Sequence, residues 1–258
     1  MNSLCKTKSI FVKSFCNTLN SWLLSVHCKL SEAKSEVGPF QYELIPESRF
    51  RDIVAFLRNH FHDEPLNVAL GVFQKGETCE RLKEYEMKTL KYGVSYMAID
   101  TKSGKIAGAS LNGISHKGEA EEELEKMKYS DDIKYNRLMG LIYSNNVEVE
   151  LFKKYNVDEL FDLRILTVDH HYRGKGLAQK LLEVSEQLAM EKGYTLLKVD
   201  ATSFFTQKIC TKLGFETIRT VLYKEIKDEN GKYSYTTAPP HEAYKIMVKY
   251  ISDDKKKV

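Results

Sequence analysis

Five cysteines (Cys5, Cys16, Cys28, Cys79, Cys210) are spread through 258 residues, no two closer than eleven positions apart. That spacing excludes the paired ligands of a zinc module, and the odd count argues against a disulfide framework, so a reducing compartment is expected. Charge of one sign is also scarce: 39 Lys and Arg stand against 36 Asp and Glu, which leaves no general basic footprint for nucleic acid. Long apolar runs are missing too. Ser21 to Val26 is too short and interrupted to cross a bilayer, so no stable membrane insertion is expected. Acids are absent from Met1 to Ser31, where Lys6, Lys8, Lys13 and Lys29 stand among Ser, Thr and Asn. Such a stretch invites a mitochondrial presequence reading, yet it holds no arginine, and the alternative is a basic tail on a cytoplasmic protein.

What is present fits one globular domain, expected to be monomeric. Gly38-Pro39 closes the basic tail, so residues 1–38 form the tail, 39–252 the domain and 253–258 a charged C-terminal end. Strands are expected at 40–45, 94–100, 105–113, 161–168, 195–201, 215–224 and 243–250, and helices at 46–61, 78–91, 135–155, 176–192 and 203–213. Residues 117–134 carry seven acids against four lysines and read as a solvated excursion or helix. The fold class is therefore α/β, a sheet of six or seven strands around a βαβ unit.

The most informative segment runs from Leu166 to Ala178. An apolar run (Ile165, Leu166, Val168) stops at Asp169, a polar turn follows, and Arg173-Gly-Lys-Gly176 opens a helix with Leu177, Leu181, Val184 and Leu188 on one face. A strand that ends in a glycine-rich turn and opens a helix makes a cup of free backbone N–H groups. Gly174 and Gly176 let a phosphate chain sit close, the helix dipole favours its charge, and Arg173 and Lys175 add to both. The segment is neither a P-loop nor a dinucleotide fingerprint, because the required further glycines and Ser/Thr are missing.

Phe61-His-Asp-Glu-Pro-Leu66 is the second such segment. Pro65 is expected to stop the preceding helix, leaving Asp63 and Glu64 at its C-terminal end or just beyond. There the dipole opposes a negative charge, which suits a base whose pKa must lie nearer neutrality. Two acids before a proline are equally the makings of a solvated turn. No metal site is expected: His60, His62, Asp63 and Glu64 are loop neighbours, and Asp169, His170 and His171 lack a partner cluster.

His171-Tyr-Arg-Gly-Lys-Gly176 resembles the acetyl-CoA signature of the GCN5-related N-acetyltransferases, Gln/Arg-x-x-Gly-x-Gly/Ala, with His in its first position. Phe-x-Asp-Glu-Pro-Leu66, Val168-Asp-x-x-Tyr-Arg-Gly-x-Gly-x-Ala178, Lys-Leu-Gly-Phe215 and Ala-Pro-Pro-His241 occur in this order in the insect arylalkylamine N-acetyltransferases, dopamine-acetylating enzymes among them. The resemblance covers Tyr42 to Tyr250.

It implies a GNAT fold, acetyl-CoA as acyl donor, and a small amine of the dopamine, tyramine, octopamine or serotonin class as acceptor. Leu166, Thr167, Val168, Arg173, Gly174, Lys175, Gly176, Leu177, Ala178 and Ser203 would hold the donor, and Glu64 would be the general base. Thr202 and Thr206 stand where two relay serines are found in that group; either Thr202 or Ser203 also reads as a helix N-cap. The tyrosine acid of many relatives is replaced by Cys210, which reads either as a proton donor or as a small core residue. Phe61, Phe73, Tyr143, Phe204 and Phe205 would line an amine pocket or belong to the core. Polyamines, a longer acyl-CoA, or CoA binding without turnover are the alternatives that the threonines, His171 and Cys210 leave open.

Overall fold

The apolar runs condense into one sheet in the computed structural model, which describes residues 35–251 apart from 61, 71, 76, 78, 228–230 and 232–236. Seven strands lie where the sequence pattern places them: β2 (Phe40–Leu44), β3 (Tyr96–Asp100), β4 (Ile106–His116), β5 (Glu159–Val168), β6 (Leu196–Ala201), β7 (Glu216–Leu222) and β8 (Ala243–Tyr250). An eighth, β1 (Ser35–Val37), lies within the stretch assigned to the tail and pairs with β2 across Gly38-Pro39. The order is β1-β2-β3-β4-β5-β6-β8-β7, antiparallel everywhere except between β5 and β6. The expectations for residues 1–34 and 252–258 lie outside the described residues. No helix among the described residues is long and apolar enough to cross a membrane.

The helices are α1 (Phe50–His60), α2 (Pro65–Leu70), α3 (Glu80–Leu90), α4 (Glu119–Met127), α5 (Ile133–Val149), α6 (Leu151–Tyr155), α7 (Leu177–Glu191) and α8 (Phe204–Lys212). α1 buries Phe50, Ile53, Val54, Phe56 and Leu57, the spacing of a one-sided helix. The single helix expected over 135–155 is two, because Glu150 adopts a left-handed φ of 45° between α5 and α6. α2 is not legible as a separate helix in the sequence; at six residues it is too short to show a period.

Two irregularities of β5 shape the centre of the sheet. Leu111 pairs with Ile165 but Asn112 with Leu163, so Arg164 is an extra, unopposed residue. Such a bulge flips the alternation beyond it. Leu163 and Leu166 therefore both pack in the cluster beneath α7, whereas Ile165 joins the cluster beneath α1 and α3. Secondly, β5 and β6 pair only over Phe161–Leu163 and Leu197–Val199. Beyond that point they diverge, opening a cleft at the C-terminal end of both strands, with α7 as the crossover between them.

Candidate active site

The cup forms as the pattern requires. β5 ends at Val168; the Asp169 carboxylate accepts the His171 N–H (2.9 Å) and starts a single turn over His170–Tyr172. Gly174 and Gly176 have φ of 76° and 82°, a region costly for residues with a Cβ, and a Cβ at either would meet open space. That space above a left-handed turn is where an anion fits. The first backbone N–H returned to the helix is that of Lys180, to the Gly176 carbonyl (3.0 Å). The N–H groups of Leu177, Ala178 and Gln179 are thereby left to the first turn of α7, the donor set of a phosphate site. The Leu177 side chain is buried in the core, so its part here is its backbone.

The two cations of the cup behave differently. Lys175 lies over the Tyr172 ring at 5.1 Å. Arg173 donates from Nε to the Val168 carbonyl (3.2 Å) and grips Asp63 with both terminal nitrogens, at 2.9 and 3.2 Å. The cup is thus tied to the residue next to Glu64.

Glu64 is buried, and its surroundings differ from the sequence expectation. Pro65 does not merely end α1; it begins α2, the position where a missing N–H and a fixed φ are tolerated best. Glu64 consequently caps an N-terminus instead of trailing a C-terminus. Its carboxylate accepts the N–H of Leu66 (3.0 Å) and of Asn67 (2.7 Å). Burial nevertheless pushes the carboxyl above its usual range, helped by the Asp63 charge, while the Thr202 hydroxyl and the two backbone N–H groups hold it back. The expected direction of the shift holds; its cause is desolvation, not the dipole.

Thr202 follows β6 at the opposite wall of the cleft, and its carbonyl accepts the hydroxyl of buried Tyr223 (2.6 Å). Thr206 is not part of this contact. Its hydroxyl and N–H pair with the Ser203 hydroxyl at 2.9 and 3.0 Å, which makes Ser203 the N-cap of α8 and engages that hydroxyl fully within the helix turn. Thr167 is buried with its hydroxyl on the His60 carbonyl (3.3 Å). Cys210 sits in the core beneath α7 and α8, its thiol pushed up to about 12 by burial, so it is a packed thiol away from the cleft.

Behind Glu64 and Thr202 lies a cavity of about 610 Å³, the size of a small-molecule site. Tyr85, Tyr143, Phe152, Leu138 and Ile142 supply its apolar and aromatic wall. Tyr143 was expected there. Phe204 and Phe205 are not part of the wall; they are exposed, and Phe205 packs edge-on against His241 at 5.5 Å. Phe73 packs at the edge of the neighbouring core cluster, and Phe61 lies outside the described residues.

The cavity floor was missed. Asp162 and Arg164 of β5 and Lys198 and Asp200 of β6 form a buried ionic network across the splay. Lys198 lies 3.3 Å from Asp162 and 2.9 Å from Asp200; Asp162 accepts Ser115 (2.8 Å), and Asp200 accepts Tyr244 (2.5 Å). Burial alone would lower Lys198, but the two carboxylates beside it win and hold it raised. The signal was available: Asp162-Leu-Arg164 and Lys198-Val-Asp200 each place opposite charges two apart, on one face of an otherwise apolar strand.

Comparison with known proteins agrees with this layout. The family model "Acetyltransferase (GNAT) family" matches residues 130–215, from α5 through the cup to the end of α8. The solved arylalkylamine N-acetyltransferase 2 of Aedes aegypti is 40% identical, with 83% of this chain and 99% of that one covered and a TM-score of 0.78. A mosquito arylalkylamine N-acetyltransferase-like protein, 5b, is 22% identical over 82% of this chain and 100% of its own, with a TM-score of 0.75. A Drosophila melanogaster polyamine N-acetyltransferase that forms N-acetylagmatine shares the fold at 22% identity over 82% of this chain and 100% of its own (TM-score 0.72).

Proposed function

Because the chain belongs to the GNAT acetyltransferase family, we propose that it moves the acetyl group of acetyl-CoA onto the primary amine of a small arylalkylamine, with Glu64 as general base. Acetyl-CoA supplies the acyl group already activated as a thioester. The cup supports this reading: Arg173, Lys175 and the backbone at Gly174 to Ala178 suit the pyrophosphate, and the edge of Leu166 to Val168 that β6 leaves unpaired borders the cleft that leads inward.

The observation that carries the acceptor assignment is Glu64 itself, buried at the junction of the cleft and an aromatic-walled cavity. An alkylammonium has a pKa of about 10.4, like lysine, and must lose a proton before it can attack a carbonyl. A carboxylate raised by burial is a better proton acceptor than an exposed one, and the Thr202 hydroxyl orients it. The neutral amine attacks the thioester carbonyl directly: the C–N bond forms, the C–S bond breaks, and the CoA thiolate leaves and takes up the proton that the nitrogen loses, so no side chain need become acylated. The wall of Tyr85, Tyr143 and Phe152 favours an aromatic amine. On the floor, Asp162 and Asp200 pair with the buried cations Arg164 and Lys198.

Release of CoA thiol from acetyl-CoA, measured against dopamine, tyramine, serotonin, phenethylamine, spermidine and agmatine, tests this. The aromatic amines should give the higher kcat/KM. Preference for spermidine or agmatine, or silence with acetyl-CoA bound, would overturn the acceptor assignment.

A further inference from the structure

At the rim of the cup, two stretches of chain more than a hundred positions apart bring imidazoles around one carboxylate. His60 ends α1, and Asp169 and His170 follow β5. His60 Nε2 lies 3.6 Å from Asp169 Oδ2, and His170 Nδ1 lies 3.4 Å from Asp169 Oδ1. One ligand-type atom from each of the three residues falls within 4.8 Å of the other two. The two imidazoles approach different oxygens of the carboxylate, and a tetrahedral ion with bonds of about 2.0–2.1 Å separates neighbouring ligand atoms by about 3.3–3.4 Å, so the carboxylate must turn to present one oxygen to both rings, a movement within the 4.8 Å that already encloses the three ligand atoms.

The setting is firm where a site needs it to be. The His60 and Asp169 side chains are only 21% and 15% exposed. The end of α1 is fixed by the hydrogen bond from Thr167 to the His60 carbonyl, and the Asp169 carboxylate is oriented by the His171 N–H and ring at 2.9 and 3.0 Å. Hydrogen bonds of that kind hold a ligating carboxylate in place.

We propose that His60, Asp169 and His170 bind one divalent cation of the zinc class. Two imidazoles and one carboxylate suit zinc, copper or nickel better than magnesium or calcium, which favour all-oxygen sets. The fourth position goes to water. The ion ties the end of α1, from which the chain runs directly to Glu64, to the start of the cup.

The test uses the full chain, stripped with a chelator and titrated calorimetrically with zinc chloride, with Co2+ absorption as a second readout. One equivalent should bind to the wild type. His60→Ala and His170→Ala should each weaken that equivalent by at least about tenfold, while His116→Ala, which removes an imidazole paired with Glu159 at the far end of the sheet, should keep it. The Co2+ spectrum of this equivalent should lack a thiolate charge-transfer band. His170 is largely exposed, so His170→Ala is the variant whose fold is safe if His60→Ala loses packing against Phe56. Unchanged zinc affinity in His170→Ala, or thiolate bands in the Co2+ spectrum, would overturn the site and leave Asp169 as a hydrogen-bonding hub only.

Discussion

The cup and the cavity meet at Glu64 but are built from opposite materials. The cup is backbone: consecutive residues in one turn, open to solvent, with charge supplied by N–H dipoles and two exposed cations. The cavity is side chain: Glu64 from the cap of α2, Tyr85 from α3, Tyr143 from α5, and ion pairs from β5 and β6, mostly buried. A backbone site serves a ligand whose charged part is constant, because N–H groups do not vary with the sequence. A side-chain site can be refitted residue by residue, which suits the partner that differs between enzymes. The strap between them is Asp63, held by Arg173 of the cup and adjacent to the base of the cavity.

Breaking the cavity's chemistry should give the largest effect. Glu64→Gln keeps the size of the side chain and one of its two cap acceptors but cannot accept a proton, and kcat/KM near neutral pH should fall by roughly 100-fold or more. In the wild type, kcat/KM should drop on acidification through a limb lying above the ordinary glutamate range; the variant should lack that limb and gain activity toward alkaline pH. Stability should move the other way. A carboxyl whose folded pKa is raised contributes its full stability below its unfolded pKa of 4.5 and loses it as pH rises through the folded value. In Glu64→Gln the relief from burying a charge at neutral pH therefore offsets the one cap acceptor that is lost, and the Tm should change little. A lower Tm together with an unchanged pH profile would assign Glu64 to structure alone.

The cavity floor should fail by unfolding, not by loss of chemistry. Arg164→Met leaves Asp162 and Glu119 without their shared buried cation, and a loss of about 3–5 kcal/mol is expected in urea unfolding. At the cup, Gly174→Val forces a β-branched residue to φ 76° and fills the anion's space. The acetyl-CoA KM should rise about tenfold, equal to about 1.4 kcal/mol, with the amine KM and the acid limb unmoved. The smallest effect separates the two threonines: Thr202→Val removes the hydroxyl on Glu64 and should shift the acid limb to higher pH, whereas Thr206→Val should leave it in place.

The same contrast governs what could be read in advance. Strand-turn-helix with glycines at fixed offsets is local, so the cup was legible as a string from Ile165 to Leu188. The seven longer strands were legible because an apolar period survives without knowledge of neighbours. Glu64 stands out in the sequence, but its environment is the inverse of the expected one, since a six-residue helix beginning at Pro65 has no period to detect. The bulge at Arg164 was hidden for a related reason: an extra residue in a strand shows only against its partner's register.

By itself the sequence determined the α/β sheet, the βαβ crossover and the glycine-rich turn that opens α7, because each depends on residues within a few positions of one another. Only the tertiary structure decided that Asp162, Arg164, Lys198 and Asp200 neutralise each other beneath a cavity, that Thr202 and not Thr206 reaches Glu64, and that His60 meets Asp169 and His170. Those relations depend on where the β5–β6 splay and the end of α1 place side chains in space. Electrostatic energy and hydrogen bonding act across a few ångströms whatever the separation along the chain.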